Sequence, residues 1–327
     1  MALILTDADV RRVLDLDAAI AAAEAALRQY SAGTVRQPVR TSLEFGPHAA
    51  YLGVMPSTLA DPPAVGAKFI TVAPANTAIG RPSHLATIVL FDPVTGELLT
   101  VMDGRYITAI RTAAVSAVSA KHLAAPRAGL LAMIGSGVQA RSHLEALVRV
   151  RTIHEVQVWS PTPSHRERFA VEMAPRVGVA IRVMDSPEEA VREADLIALT
   201  TTATAPVLQG RWIEDGTHVM AIGAYRPDHR EMDSDLVTRA RVFVDSRAGA
   251  LAEAGDILIP IAEGRFDESH IAAELGAVVA GLARGRTSTR QVTVFKSLGM
   301  AVEDVATAAV AYRAALAAGV GTPVSLS

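Results

Sequence analysis

The run Leu130-Leu-Ala-Met-Ile134 passes directly into Gly135-Ser-Gly137-Val-Gln-Ala140 and then into a segment with helical periodicity. This order, a short apolar strand, a glycine-rich turn and a helix, constrains the fold more than any other feature of the chain. Gly135 allows the tight turn, Gly137 lets backbone approach a pyrophosphate, and Ala140 permits close packing of helix on sheet. The first turn of such a helix offers unpaired N–H groups to an anion. A glycine turn without a ligand is the plainer reading, but the surroundings favour the first. After Pro126 the chain alternates strand and helix: Leu130 to Ile134, Ala140 to Val148, Glu155 to Trp159, Arg166 to Met173, Val179 to Val183, Pro187 to Arg192 and Leu196 to Leu199. Further apolar runs follow at His218 to Gly223 and Arg241 to Val244, and a last stretch opens with Val292 to Phe295 ahead of the final helix. Such alternation predicts a parallel sheet with crossover helices.

The first 125 residues have a different rhythm. An amphipathic helix carrying Ile20, Ala23, Leu27 and Tyr30 is expected after a cap at Asp17, with Gly33 as its terminator. Short β-rich runs follow at Thr41 to Phe45, Ala67 to Val72, Leu85 to Phe91 and Leu98 to Met102. Asp92-Pro-Val-Thr-Gly-Glu97 is a turn between two of them, and an antiparallel sheet with hairpins is predicted. A helix from Tyr106 to about Leu123 leads to the second region. A last helix, Ala301 to Ala318, is expected with no strand after it.

Composition narrows the partners. The 327 residues are 50% hydrophobic and 20% charged, and the net charge of −3 is spread along the chain. No block of basic residues marks a nucleic-acid surface. The chain has no cysteine, which excludes disulfides, thiolate nucleophiles and iron–sulfur chemistry and is in keeping with a reducing, cytoplasmic setting. No basic residue precedes Arg11, and no uncharged apolar run approaches the ~18 residues of a membrane span, so neither a signal peptide nor a membrane partner is expected. The nine histidines lack metal-ligand spacing, and no metal site is predicted.

Three cations stand in apolar surroundings: Arg40, Lys68 in Val-Gly-Ala-Lys-Phe-Ile, and Arg111 in Ile-Thr-Ala-Ile-Arg-Thr-Ala-Ala. Each alone reads best as half of a structural ion pair. Together they point to an anionic small molecule, because buried cations need anions. Arginine recognises a carboxylate with two parallel bonds, whereas a buried lysine can give up its proton and serve in acid–base chemistry. Ser83-His84 is a further polar pair. The second strand of the dinucleotide motif ends at Trp159-Ser160-Pro161-Thr162, where an NAD enzyme would carry an acid for the ribose hydroxyls. Ser160, Thr162 and Arg166 can instead receive a 2′-phosphate, which favours NADP(H) over NAD(H); the alternative is that Arg166 is a solvated helix residue.

Seven stretches together carry a family resemblance: Arg81-Pro-Ser-His-Leu-Ala-Thr87, Leu90-Phe-Asp-Pro-Val-Thr-Gly96, Val101-Met-Asp-Gly104, Ile107-Thr-Ala-Ile-Arg-Thr-Ala-Ala114, Ile134-Gly-Ser-Gly-Val-Gln-Ala140, Gly223-Ala-Tyr-Arg-Pro-Asp228 and Val294-Phe-Lys-Ser-Leu-Gly-Met-Ala-Val-Glu-Asp304. Over nearly its full length the chain resembles the ornithine cyclodeaminase and mu-crystallin family. The resemblance implies an α/β protein with a Rossmann dinucleotide-binding domain, 119–299, and an α+β substrate-binding and dimerisation domain, 1–118 with 300–327. It implies a homodimer. It puts Arg40, Lys68, Ser83, His84 and Arg111 at the substrate. Ser83, Thr112, Gly135, Ser136, Gly137, Val138, Gln139, Ser160, Thr162, Thr200, Thr201, Thr202, Gly223, Ala224 and Ser297 fall at or near the cofactor.

Cyclodeaminases of the family carry a catalytic aspartate as third residue of a Gly-Gly-Asp segment, whereas this chain reads Gly223-Ala224-Tyr225. Arg226-Pro-Asp228 is similar to the mu-crystallin branch, which reduces ketimines. That branch carries an Arg for the 2′-phosphate where this chain has Pro161. The expectation is an NAD(P)H-dependent reductase of imino acid carboxylates, with Arg40 and Arg111 on the carboxylate and Lys68, or Tyr225, as proton donor. An amino-acid dehydrogenase of the alanine type, an ornithine cyclodeaminase, and an NADP(H)-dependent binding protein without turnover stay open as alternatives.

Overall fold

Thr6 and Asp15 start the first two helices of the computed structural model, which describes residues 1–46 and 50–325. The chain divides into two units, Met1–Arg111 with Met300–Ser327, and Thr112–Gly299. After β1 (Ala2–Leu5), the Thr6 hydroxyl accepts from Asp9 N–H to open α1 (Asp7–Val13). The Asp15 carboxylate accepts from Ala18 N–H to open α2 (Leu16–Ser31). The expected cap, Asp17, lies within the first turn of α2, where a carboxylate still favours the helix dipole. Ala19, Ile20, Ala23, Ala26 and Leu27 form its buried face.

The strands of this unit are β2 (Thr41–Glu44), β3 (Tyr51–Ala60), β4 (Pro63–Val72), β5 (His84–Phe91) and β6 (Leu98–Asp103). Sequence reading missed β3 and began β4 four residues late. Gly53 and Pro56 mask the alternation of β3, although Met55, Ser57 and Leu59 do point inward in strand period. The turn between β5 and β6 forms as expected: Asp92 Oδ1 accepts from Val94 and Thr95 N–H, both at 2.8 Å, and Gly96 takes φ +75°. Helix α3 (Arg105–Leu123) carries the chain from the first unit into the second.

The second unit runs β7 (Leu130–Ile134), α4 (Val138–Val150), β8 (Glu155–Trp159), α5 (Pro163–Val177), β9 (Ala180–Val183), α6 (Pro187–Val191), β10 (Leu196–Leu199) and β11 (His218–Ala221). It continues through α7 (Ser234–Arg239), β12 (Arg241–Val244), α8 (Arg247–Glu253), α9 (Gly255–Ala262), β13 (Ile271–Glu274), α10 (Leu275–Val279) and β14 (Thr293–Lys296). The eight strands form one sheet, in the order β13-β12-β14-β11-β10-β7-β8-β9. Every pairing in it is parallel. Strands β10, β11 and β14 are buried along their whole length, as expected of strands covered on both faces. From β7 the chain goes to β8 on one side and later to β10 on the other. That reversal opens a crevice at the carboxyl ends of the strands.

Helix α11 (Ala301–Ala318) and β15 (Thr322–Val324) complete the first unit. The strand was not expected, yet β15 pairs antiparallel with β1 through Ala2↔Val324 and Ile4↔Thr322. Three residues are too few to show a period, and pairing alone defines them as a strand. The sheet of this unit has the order β15-β1-β6-β5-β4-β3-β2, with β1 parallel to β6 and the remaining pairs antiparallel. Helix α11 packs against α2 and crosses β3, β4 and β5. Among the described residues no helix is long and apolar enough to cross a membrane.

Candidate active site

Strand period turns Lys68 of β4 to the same side as the buried Ala64 and Gly66, in register with Met55 of β3 and Ile88 of β5. A lysine therefore occupies a core position, only 1% exposed. Its Nζ lies 2.6 Å from Asp304 Oδ2, at the start of α11. The other oxygen, Oδ1, accepts from Arg111 Nε at 2.8 Å. Arg111 Nη1 also donates to Glu303 Oε2 at 2.8 Å, and the Met300 N–H donates to that oxygen at 3.1 Å. Both acids stand in the first turn of α11, where the helix dipole favours negative charge. Gln37 Oε1 accepts from Val302 N–H in the same turn.

Electrostatics follow from the burial. Desolvation lowers the Lys68 pKa most, and the Arg111 guanidinium adds to it; Asp304 opposes both, and the outcome is about 8. Arg40, half-buried, contributes a smaller lowering. At the start of β5, Ser83 Oγ and His84 Nδ1 are 2.9 Å apart. Burial and then the Lys68 charge hold the His84 pKa below its usual value. The apolar setting of Lys68 and Arg111 calls for an anion, which the sequence alone attributes to a ligand. The chain supplies Asp304 and Glu303 itself. Both stand in the stretch Val294 to Asp304, where the sequence alone assigns them no role, since a carboxylate in a helix's first turn also reads as an ordinary dipole partner.

In the second unit, Gly135 takes φ +119°, and a Cβ there would meet Thr200 Oγ1 at 2.6 Å. Gly137 precedes α4 as its N-cap with no capping side chain, and a Cβ there would meet nothing within 4 Å. Open space over an uncapped helix start is the cradle that a pyrophosphate requires. Ser136 and Gln139 are half-buried and Val138 is exposed beside it. Ser136 Oγ donates to Ser160 Oγ at 2.9 Å, tying this turn to the end of β8. Arg141 was missed: its Nη1 donates to the carbonyls of Ser136 and Gly137, which places a guanidinium beside the turn.

Arg166 is buried rather than solvated. Its Nη2 donates to Asp185 Oδ1 at 2.8 Å and its Nη1 reaches the Ser160 carbonyl at 3.4 Å. Thr162, the N-cap of α5, makes no side-chain cap bond. Thr200, Thr201 and Thr202 follow β10, while Gly223, Ala224 and the half-buried Tyr225 follow β11. Thr112 is buried on α3. Ser297, after β14, donates to Asp245 Oδ2 at 3.2 Å. Among the described residues no group of His, Asp or Glu is placed to hold a metal.

Known proteins are similar to this chain over most of its length. The ketimine reductase mu-crystallin of Mus musculus is 44% identical over 292 residues, 88% of this chain and 89% of that protein. The structure of Thermococcus litoralis Δ1-pyrroline-2-carboxylate reductase in complex with NADH and L-proline superposes with a TM-score of 0.96 at 42% identity, over 98% of this chain and all of the other. An archaeal alanine dehydrogenase dimer with bound NAD superposes at 0.95 with 35% identity, over all of this chain and 99% of the other. The model of the ornithine cyclodeaminase/mu-crystallin family matches residues 1–319. With a match of the family model over residues 1–319 beside the glycine turn and the buried lysine–arginine–aspartate cluster, the chain belongs to the ornithine cyclodeaminase/mu-crystallin family.

Proposed function

We propose that the protein is an NAD(P)H-dependent reductase that converts the C=N bond of cyclic imino acid carboxylates to the corresponding amino acids. The buried Lys68, held 2.6 Å from Asp304, carries this reading, because its pKa, lowered to about 8, makes it a proton donor that can change state near neutral pH. A bound nicotinamide supplies hydride to the imine carbon. Arg40 and Arg111 hold the substrate carboxylate and so fix which face of the imine is presented. Lys68 delivers a proton to the imine nitrogen and becomes neutral, which relieves the repulsion between an ammonium and the developing amine. The carboxylate of Asp304 keeps the ammonium aimed and helps retain its proton until then.

Ornithine cyclodeamination lacks its acid here. Ala224 and Tyr225 follow Gly223, and the next carboxylate, Asp228, is exposed and bonded to Arg226. NADP(H) is the preferred dinucleotide in this reading, since β8 ends in Ser160-Pro161-Thr162 without an acid and Arg166, one turn on, can exchange its exposed partner Asp185 for a 2′-phosphate. Two copies pair through the open face of the first unit's sheet. Leu43, Leu52, Thr71 and Leu85 lie in one row across β2 to β5, with Phe69 beside them. Leu43, Phe69 and Leu85 are 58%, 38% and 42% exposed, an apolar face on the opposite side from Lys68.

The test is oxidation of NADPH and of NADH by the purified protein with cyclic imino acids of five- and six-membered rings. Pyruvate plus ammonia, and ornithine plus NAD, serve as controls. Reduction of a cyclic imine well above both controls, with NADPH preferred, is expected. Turnover confined to ornithine or to pyruvate with ammonia, or tight dinucleotide binding without turnover, would overturn the reading. Sedimentation should give twice the 34.3 kDa chain mass.

A further inference from the structure

Glu231, seven residues after Ala224, is fully buried. Its Oε1 accepts from Thr201 N–H at 3.0 Å and from Thr201 Oγ1 at 2.7 Å. Its Oε2 accepts from Gly223 N–H at 2.6 Å and Ala224 N–H at 3.2 Å. One carboxylate thus joins the loops that leave two neighbouring parallel strands, β10 and β11, at their carboxyl ends. Lys296, at the end of β14, donates to the Ala224 carbonyl and lies 2.9 Å from Asp256 Oδ2. Asp256 Oδ1 accepts from the N–H groups of Glu231 and Met232 at 2.8 and 3.0 Å, which holds the Glu231 backbone in turn. The Gly223–Ala224 segment is therefore gripped through its donors by a carboxylate and through its acceptor by an ammonium. A side chain at Gly223 would strike the Thr201 carbonyl and Glu231 Oε1, so glycine is required for the grip to close.

In a doubly wound sheet each half takes one mononucleotide, on either side of the point where strand order reverses. The glycine turn after β7 and the end of β8 belong to the half that receives the adenosine and the pyrophosphate. The loops after β10 and β11 belong to the other. We propose that Glu231 is a positioning residue for the nicotinamide half of the dinucleotide, acting through the backbone of Thr201, Gly223 and Ala224. This rests on nicotinamide-dinucleotide binding and not on the identity of the imine.

Burial raises the Glu231 pKa most, Asp256 raises it further and Lys296 opposes them, with the outcome about 7. Asp256 and Lys296 are the charged groups that face it from α9 and β14. Ionised Glu231 accepts all four bonds; the protonated acid turns an O–H toward N–H donors and loses one. The grip should therefore be complete above about pH 7 and loosen below it.

Glu231→Gln keeps the volume and removes the charge. Two ligands separate positioning from general support: NADPH, and 2′-phospho-ADP-ribose, which lacks the nicotinamide; NADH with ADP-ribose is the corresponding pair. Binding is read by nicotinamide fluorescence and calorimetry, and folding by circular dichroism and thermal unfolding. Glu231→Gln should weaken the dinucleotide about tenfold while changing the shortened ligand less than about twofold. The parent should lose affinity for the dinucleotide relative to the shortened ligand as pH falls through about 7, and the variant should not. Should Glu231→Gln fail to fold, Thr201→Val removes one of the four bonds at a half-buried site, together with the acceptor of the Ala203 N–H, and should shift the same ratio in the same direction. Equal weakening of both ligands, or an unchanged ratio in whichever variant folds, would overturn the proposal. Failure of imine turnover would leave these binding ratios unaffected.

Discussion

Lys68 and Asp304 face each other at 2.6 Å with both side chains withdrawn from solvent, one from the middle of a strand and the other from the first turn of a helix more than 230 residues later. Burial without a partner would strip the lysine of its charge, and the aspartate restores part of it. Lys68→Met keeps the aliphatic stem and removes the proton. We expect imine reduction to fall by 10²-fold or more, the usual scale for a positioned acid, with dinucleotide affinity unchanged. Retention of full kcat in a steady-state assay would remove Lys68 from the chemistry.

The pH profile follows from the same lysine. Its pKa is lowered from 10.5 to about 8, so the ammonium that donates the proton is present below about 8 and lost above it. In the reductive direction kcat/KM should fall as pH rises through about 8, and in the oxidative direction the dependence should reverse, because the neutral amine must then accept the proton. A descending limb displaced to 10 or beyond would mean that another group gives the proton.

Asp304→Asn is expected to be more damaging than its size implies. The change strips Lys68 of the counter-charge at 2.6 Å and takes a carboxylate oxygen from Arg111, which keeps its bond to Glu303. Breaking a buried pair from one side costs ~3–5 kcal/mol. Urea unfolding should show a loss of this order. A variant of parental stability should instead show a Lys68 pKa pushed further below 8, read as a descending limb at lower pH.

How much of this was legible beforehand depends on how locally each feature is encoded. The glycine turn, the run Leu130 to Ile134 and the helix Ala301 to Ala318 carry strong short-range signals, and the structure holds them where the sequence puts them. Strands β3 and β15 escaped because Pro56 and Gly53 break the alternation of one, and the other exists only through its pairing with β1. The cations Lys68 and Arg111 were visible as charge in apolar sequence. Their partners Asp304 and Glu303 were not, since 236 positions of separation between Lys68 and Asp304 hide a pair that only the fold assembles. Glu231 was hidden for a second reason: its work is done on backbone N–H groups, which every sequence possesses.

Two histidines should set the acid limit of stability. His143, bonded to Ser116 Oγ and the Gln139 carbonyl, and His218, bonded to Ser119 Oγ and Thr293 Oγ1, are both fully buried. Burial lowers their pKa values to about 4 and about 3. Unfolded, each would titrate near 6.5, so the unfolded chain binds more protons below that pH. Stability is then full above about 6.5 and declines as pH falls toward 4, by an amount on the order of 3 kcal/mol per histidine. Glu231, whose pKa is raised, binds its proton more tightly in the folded chain and opposes this slope equally in parent and variant, so the difference is the test: between pH 7.5 and 4.5 urea unfolding should show the parent losing stability relative to His143→Gln, and a constant difference would assign the decline to other groups.

Gly135 and Gly137 look alike in sequence, but alanine should affect them in opposite ways. Gly135 has φ +119° and lies against Thr200, so Gly135→Ala meets both backbone strain and a clash. The cost should be roughly 2–5 kcal/mol of stability. Gly137 has φ −82°, which any residue adopts, and the space its Cβ would enter is empty of protein. Gly137→Ala should therefore leave thermal unfolding within about 1 kcal/mol of the parent. The same methyl group would stand where a pyrophosphate must come against the first N–H groups of α4. Dinucleotide affinity should drop by about tenfold or more, ~1.4 kcal/mol, for NADPH and for 2′-phospho-ADP-ribose alike, because both carry the pyrophosphate. A stable Gly137→Ala protein with parental affinity for both ligands would mean that the pyrophosphate does not approach this turn.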